Sequence, residues 1–211
     1  MSEYRHGRLP WPTPGELDDE RRTVYDAIVG GPRAADAAMS PIVTRDGRLE
    51  GPFNAMLVSP AVGTALQSLG SAIRYSTGLT DRDRELAILE VAAHYRSEFE
   101  WFAHERVART AGLDEATLGA LRAGERPKDL EAGAATIWSA VRSILESGDL
   151  NDVEYDRLTA NVGDVVAVEL VVLVGYYQTL ALMLRTFRVP APATAGGSLS
   201  TWSESNSEGK S

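Results

Sequence analysis

Apolar positions recur every three to four residues along most of this chain, the signature of amphipathic helices. Between Glu16 and Val29, the side chains of Leu17, Tyr25, Ile28 and Val29 fall at helical intervals behind an acidic first turn. Gly30-Gly31-Pro32 closes that segment. Ser59-Pro60 reads as an N-cap followed by proline at the first helical position, opening a helix to about Ser76. Thr80 and Asp83 form a short capping box for the next helix, which carries Leu86, Leu89, Ala92 and Ala93 and breaks near Arg96-Ser97. A further helix then ends at Gly112, and Asp114 caps another that stops around Gly124 and Pro127. From Asp129 to Leu145, Ile137, Trp138, Val141, Ile144 and Leu145 share one stripe. Asn151 with Glu154 forms a second capping box, and the last helix spans about Asp164 to Thr186, ahead of Pro190 and Pro192. Strict two-residue alternation is missing, so the pattern predicts an all-α fold of about seven or eight helices.

Three segments fall outside this periodicity. Residues 1–15, with Pro10, Pro12 and Pro14, read as an extended arm, and His6 lies in it as a mobile residue. Residues 32–50 carry little pattern and read as a loop, long enough to serve as a lid or a subunit contact. Gly51-Pro52-Phe53-Asn54 is a turn signal leading into an apolar stretch. The organisation expected is therefore an arm, helix and loop over 1–50, a helical domain over 51–192, and a Gly-, Ser- and Glu-rich tail over 193–211 with too little to bury to stay ordered.

The chain has 211 residues, 44% of them hydrophobic and 24% charged, which is ordinary for one globular domain. Its net charge of -9 argues against nucleic acid as a partner, since phosphate binding needs a basic surface. The apolar run Val165 to Leu184 is interrupted by Glu169 and Gln178, so it reads as a core helix rather than a membrane span. With no export signal at the N-terminus, a cytoplasmic location is expected. There is no cysteine, so thiolate metal sites and thiol redox chemistry are unavailable to this chain. Its three histidines lack metal-ligand spacing, and no metal is expected.

The chemistry concentrates between Glu85 and His104. Ser97, Glu100 and His104 fall on one helix face, with Glu85 on the preceding helix, so a carboxylate pair, a hydroxyl and an imidazole converge between apolar elements. His104 is the first choice for a proton donor, because an imidazole titrates near neutrality. Glu100, one turn earlier, can orient it or share its proton, and Glu85, once buried, becomes usable as an acid. Trp101 would wall the pocket, Arg74 or Arg96 would hold an anionic substrate, and Asn54 and Tyr176 stand as further binding residues. The bland alternatives are a core histidine tied to Glu85 or Glu100, a solvated helix start at Arg82-Asp83-Arg84-Glu85, and a capping role for Ser97. Tyr176 and Tyr177 fit a core or interface equally well, and His94 reads as structural.

This stretch resembles the carboxymuconolactone decarboxylase family, which shares its fold with the AhpD-type alkylhydroperoxidases. The resemblance covers most of residues 50–192, from Gly51-Pro52-Phe53-Asn54 through Asp83-Arg84-Glu85-Leu86, Glu98-Phe99-Glu100-Trp101-Phe102-Ala103-His104 and Ala111-Gly112-Leu113 to Val174-Gly175-Tyr176-Tyr177 and on through Phe187-Arg188-Val189-Pro190. The peroxidase branch uses a glutamate, two cysteines spaced CxxC and a histidine. Glu85 and His104 match the first and last of these, while Ser97 and Glu100 occupy the cysteine positions. The resemblance therefore implies the cysteine-free branch: an AhpD-like helical subunit, assembled as a trimer or hexamer, acting without metal or organic cofactor. It implies a lyase that decarboxylates a small lactone or β-oxo carboxylic acid. The alternatives are a cyclase or isomerase on an enolisable metabolite, or a non-catalytic member that binds a ligand or scaffolds an oligomer.

Overall fold

A computed structural model describes residues 4–32 and 42–191. Eight helices account for most of them: α1 (Asp19–Val29), α2 (Pro52–Val58), α3 (Pro60–Tyr75), α4 (Asp81–Tyr95), α5 (Glu98–Thr110), α6 (Glu115–Ala123), α7 (Ala132–Ser147) and α8 (Asp152–Thr186). The fold is all-α, as the periodicity predicts. Three of the four expected caps hold, whereas Ser59 stands at the start of α3 with no side-chain cap bond. Thr80 Oγ1 accepts from Asp83 N, Asp114 accepts from Thr117 N, and Asn151 and Glu154 cap each other reciprocally. α8 is bent where a helix start was expected: Gly163 breaks the helical dihedrals with φ 78 and ψ 165, a conformation open to glycine.

α4 is the central element. It packs against α5, α6, α7 and α8, and every residue from Arg84 to Ala92 is buried. Two apolar clusters meet along it. The larger gathers Ile88, Val91, Val141, Leu170, Leu173 and Val174; the smaller gathers Leu86, Leu89, Trp101, Leu118, Leu121 and Trp138. α8 is long and apolar enough to cross a membrane by length and composition, yet Leu170, Leu173, Val174, Tyr177 and Leu180 are spent on this core.

Several local expectations are corrected. Gly51-Pro52-Phe53-Asn54 is not only a turn. Gly51, at φ 58, turns the chain, and Pro52 then serves as the first residue of α2. α1 starts at Asp19 behind an Asp18 cap, with Pro14–Glu16 as a separate 3-10 turn. The arm is a small antiparallel ribbon, β1 (Arg5–His6) and β2 (Leu9–Pro10), rather than a loose extension. His6 is correspondingly buried. It stacks on Trp11 at 4.6 Å, and its Nε2 accepts from Gly51 N at 3.1 Å. Burial holds its pKa down to about 4, so it stays neutral. Of the loop over 32–50, residues 42–50 pair back on themselves through Val43 and Leu49, and Leu49 is fully buried beneath an indole hydrogen bond from Trp11. The stretch 33–41 and the tail from 192 lie outside the described residues.

The α2–α3 corner depends on a missing side chain. A Cβ at Gly63 would lie 2.1 Å from the Met56 carbonyl oxygen. Gly63→Ala is expected to force the two helices apart and cost about 2 kcal/mol or more, read as a lower urea midpoint.

Candidate functional site

Glu85 lies one turn into α4, just past the acidic first turn of Asp81 and Asp83 where the sequence suggested it, and is fully buried. A carboxylate in such a place requires a partner, and His104 on α5 supplies it: Nδ1 lies 2.7 Å from Glu85 Oε2. Because a carboxylate oxygen accepts, Nδ1 carries the shared proton, which leaves Nε2 as the nitrogen for a reacting group. The other oxygen, Oε1, faces Arg84 Nε at 3.7 Å, and Arg84 is itself tied to Asp81 at 2.7 Å. Of the two sequence candidates for orienting the imidazole, Glu85 therefore makes the bond.

Glu100 plays a different part. It lies one helical turn before His104, is only 3% exposed, and neither of its oxygens has a hydrogen-bond partner among the described residues. Burial pushes its pKa up from 4.5 to about 8, with Ser97 tempering the rise. At neutral pH it is a protonated, neutral acid. Ser97 is buried as well, and its hydroxyl caps nothing: α5 begins without a side-chain cap bond.

The third wall comes from α8. The Tyr177 ring meets the His104 ring edge-on at 5.2 Å, and Tyr176 meets Tyr177 at 5.3 Å. Burial raises the Tyr177 pKa well above the usual phenol range, opposed by the Arg74 guanidinium and reinforced by Glu85, Tyr176 and Glu100. Arg74 and Tyr176 are thus brought to the cluster, but Tyr177, which the sequence suggested only as a core or interface residue, is the tyrosine in contact with the imidazole. Its signal was its place beside Tyr176 in an apolar run, and nothing local separates the two. Trp101 sits in the smaller core cluster with Leu86 and Leu121, its ring 5.3 Å beneath Arg122. Asn54 is fully buried and donates to the Pro10 carbonyl at 3.0 Å, which ties it to the arm. His94 lies exposed at the end of α4.

Arg96 lies at the mouth of a cleft of about 390 Å³ shared with Tyr95, Ser97, Phe99, Arg185 and Arg188. Ser97 thus belongs both to this cleft and to the surroundings of Glu100. A second cleft, of about 680 Å³, lies among Thr80, Asp83, Gly133 and Asn161 and contains none of the candidate residues. Among the described residues no group of three or more acidic or histidine side chains is placed to hold a metal ion.

The two buried carboxylates have opposite effects on stability. Glu85→Ala leaves the buried His104 ring unmatched and Arg84 with Asp81 alone, and is expected to cost about 3–5 kcal/mol in urea denaturation. Glu100 holds a proton in the folded state between pH 4.5 and about 8 that the unfolded chain releases, so the protein loses stability as pH rises across that window. Glu100→Gln removes this loss. Its melting temperature should match that of the wild type near pH 4.5, exceed it increasingly up to pH 8, and hold a constant advantage above.

Residues 60–142 match the Carboxymuconolactone decarboxylase family. Solved structures share the fold. An alkylhydroperoxidase AhpD core, an uncharacterized peroxidase-related protein from Ralstonia eutropha JMP134, aligns with TM-score 0.72 at 15% identity, over 91% of this chain and 95% of its own. An uncharacterized peroxidase-related protein from Silicibacter sp. TM1040 gives 0.71 at 13% identity, over 94% and 99%. A protein of unknown function from Agrobacterium tumefaciens gives 0.60 at 20% identity, over 68% and 99%. No curated protein matches the chain in sequence.

Proposed function

We propose, from the match of residues 60–142 to the carboxymuconolactone decarboxylase family and the AhpD-like fold, that this chain is a cofactor-independent carboxy-lyase, acting in the cytoplasm on a small lactone or β-oxo carboxylic acid. The observation that carries the reading is the burial of the Glu100 carboxyl one turn from an imidazole that Glu85 fixes by its Nδ1, a burial that raises the Glu100 pKa to about 8.

Decarboxylation breaks the bond between carbon and the carboxylate, and the electron pair moves onto a conjugated carbonyl as an enolate. One proton must then be delivered to carbon. A neutral acid in an apolar site supplies it, and an oriented imidazole stabilises the enolate oxygen or relays the proton. His104 Nε2 and the Glu100 carboxyl are the two groups able to do so. Tyr177, held neutral by burial, contributes a hydroxyl and a ring wall. Burial also disfavours a substrate carboxylate more than the charge-dispersed transition state. The peroxidase-related neighbours suggest a thiol reaction, but this chain has serine and glutamate at the two positions that such a reaction needs. The assembly expected is a homo-oligomer, a trimer or hexamer.

The test is CO2 release from 4-carboxymuconolactone. The wild type is expected to turn over, His104→Ala and Glu100→Gln to lose about 10²–10⁴ in rate while remaining folded, and the wild-type rate to fall as pH rises through about 8, where Glu100 gives up its proton. Turnover unchanged in both variants would remove the assignment. A folded but inactive wild type would favour an isomerase or cyclase on another enolisable acid, or a ligand-binding role.

A further inference from the structure

Among the described residues only two side-chain-bearing positions have positive φ, and both are arginines lining the same cleft: Arg96 at φ 51 and Arg188 at φ 52. Each follows the end of a helix, α4 or α8, at the left-handed position where glycine is the relaxed choice. Ser97 N donates to Ala92 O at 2.8 Å behind Arg96, and Val189 N donates to Leu184 O at 2.9 Å behind Arg188. Arginine at two such positions departs from local backbone preference, and departures of this kind collect at functional sites.

Three further features converge there. Arg185, in the last turn of α8, is the third arginine of the cleft, and Glu98 is its only carboxylate, an excess of positive charge in a chain of net charge -9. Neither Arg185 nor Arg188 has a side-chain hydrogen bond or ion pair among the described residues. α5 starts at the cleft with Ser97, Glu98 and Phe99, its first turn lacks a side-chain cap, and the buried Ser97 hydroxyl sits between the cleft and Glu100. A helix start of this kind accepts an anion. The cleft is also held in shape from outside: Arg8 N donates to Phe187 O at 2.7 Å, and a Cβ on Gly7 would lie 2.3 Å from the Arg188 carbonyl oxygen.

We propose that this cleft binds the carboxylate of a small organic acid, with Arg188, Arg185 and Arg96 clamping the anion, and Ser97 and the start of α5 closing its inner end. The proposal rests on the carboxy-lyase reading for its choice of ligand, because Ser97 links the cleft to Glu100. A volume of about 390 Å³ suits a metabolite rather than a polymer.

The experiment is calorimetric titration of the full chain with adipate, a flexible dicarboxylate, and with its neutral diamide. Arg96→Gly and Arg188→Gly are the informative variants, because glycine relaxes the backbone at both positions and the fold is retained, as checked by melting temperature. Adipate is expected to bind the wild type and to weaken about tenfold in each variant; the diamide is expected not to bind. Equal adipate affinity in wild type and variants, equal affinity for the diamide, or no binding of adipate to the folded wild type overturns the proposal. His104→Ala separates it from the catalytic assignment. Arginine-dependent binding that persists in an enzyme without CO2 release keeps the cleft and discards the lyase; His104-dependent turnover with arginine-independent binding does the reverse.

Discussion

Two carboxylates on the buried stretch of one central helix govern the arrangement of the rest. α4 places Glu85 and Glu90 in the centre of the protein, where an unmatched negative charge costs several kcal/mol. Each is answered by a different neighbour. Glu85 takes the imidazole of His104 from α5; Glu90 accepts from the Trp138 indole at 2.9 Å and from Arg142 at 2.8 Å, both on α7. Apolar packing alone leaves helices free to slide and rotate by small amounts. Directional bonds from two points on the same helix fix the register of α5 and α7 against it. The site is thus set by the same interactions that order the core.

Against this satisfied background Glu100 stands out. Its burial outweighs the help of the Ser97 hydroxyl, so the energetically favoured form is the protonated one. Glu85 and Glu100 are both nearly inaccessible to water, yet one is matched by a base and the other is not, and that difference separates an orienting carboxylate from an acid. Environment, not residue type, assigns the roles.

Local features of this architecture were plain in the sequence, and distant ones were not. Thr80, Asp114 and Asn151 with Glu154 cap helices through atoms three residues away, so their pattern is complete within a short window. The break at Arg96-Ser97 was equally local. α2 escaped because Gly51-Pro52 serves both as a turn and as a helix start, and only the packing of Phe53 to Val58 decides between them. His6 escaped because its burial depends on Trp11 and Gly51, the latter 45 residues away. The Glu85–His104 pair was suggested by helix spacing together with the family resemblance. Tyr177, Arg185 and Arg188 lie some 70 to 90 positions from their neighbours near Ser97 and His104, and no local period points to them.

The bend at Gly163 divides α8 into two lengths of helix with different fates. Hydrogen bonding does not propagate through a residue at φ 78 and ψ 165, so cooperativity is interrupted there. The first length keeps Leu158 as its one fully buried side chain and leaves Val153 and Tyr155 largely in water; the second carries Leu170, Leu173, Val174, Tyr176, Tyr177 and Leu180 into the core. The early part of α8 is therefore a separate opening unit, whose amides exchange with solvent through local fraying, while those beside Tyr177 await global unfolding. A helix continuous in outline thus insulates the site from the fraying of its own first turns.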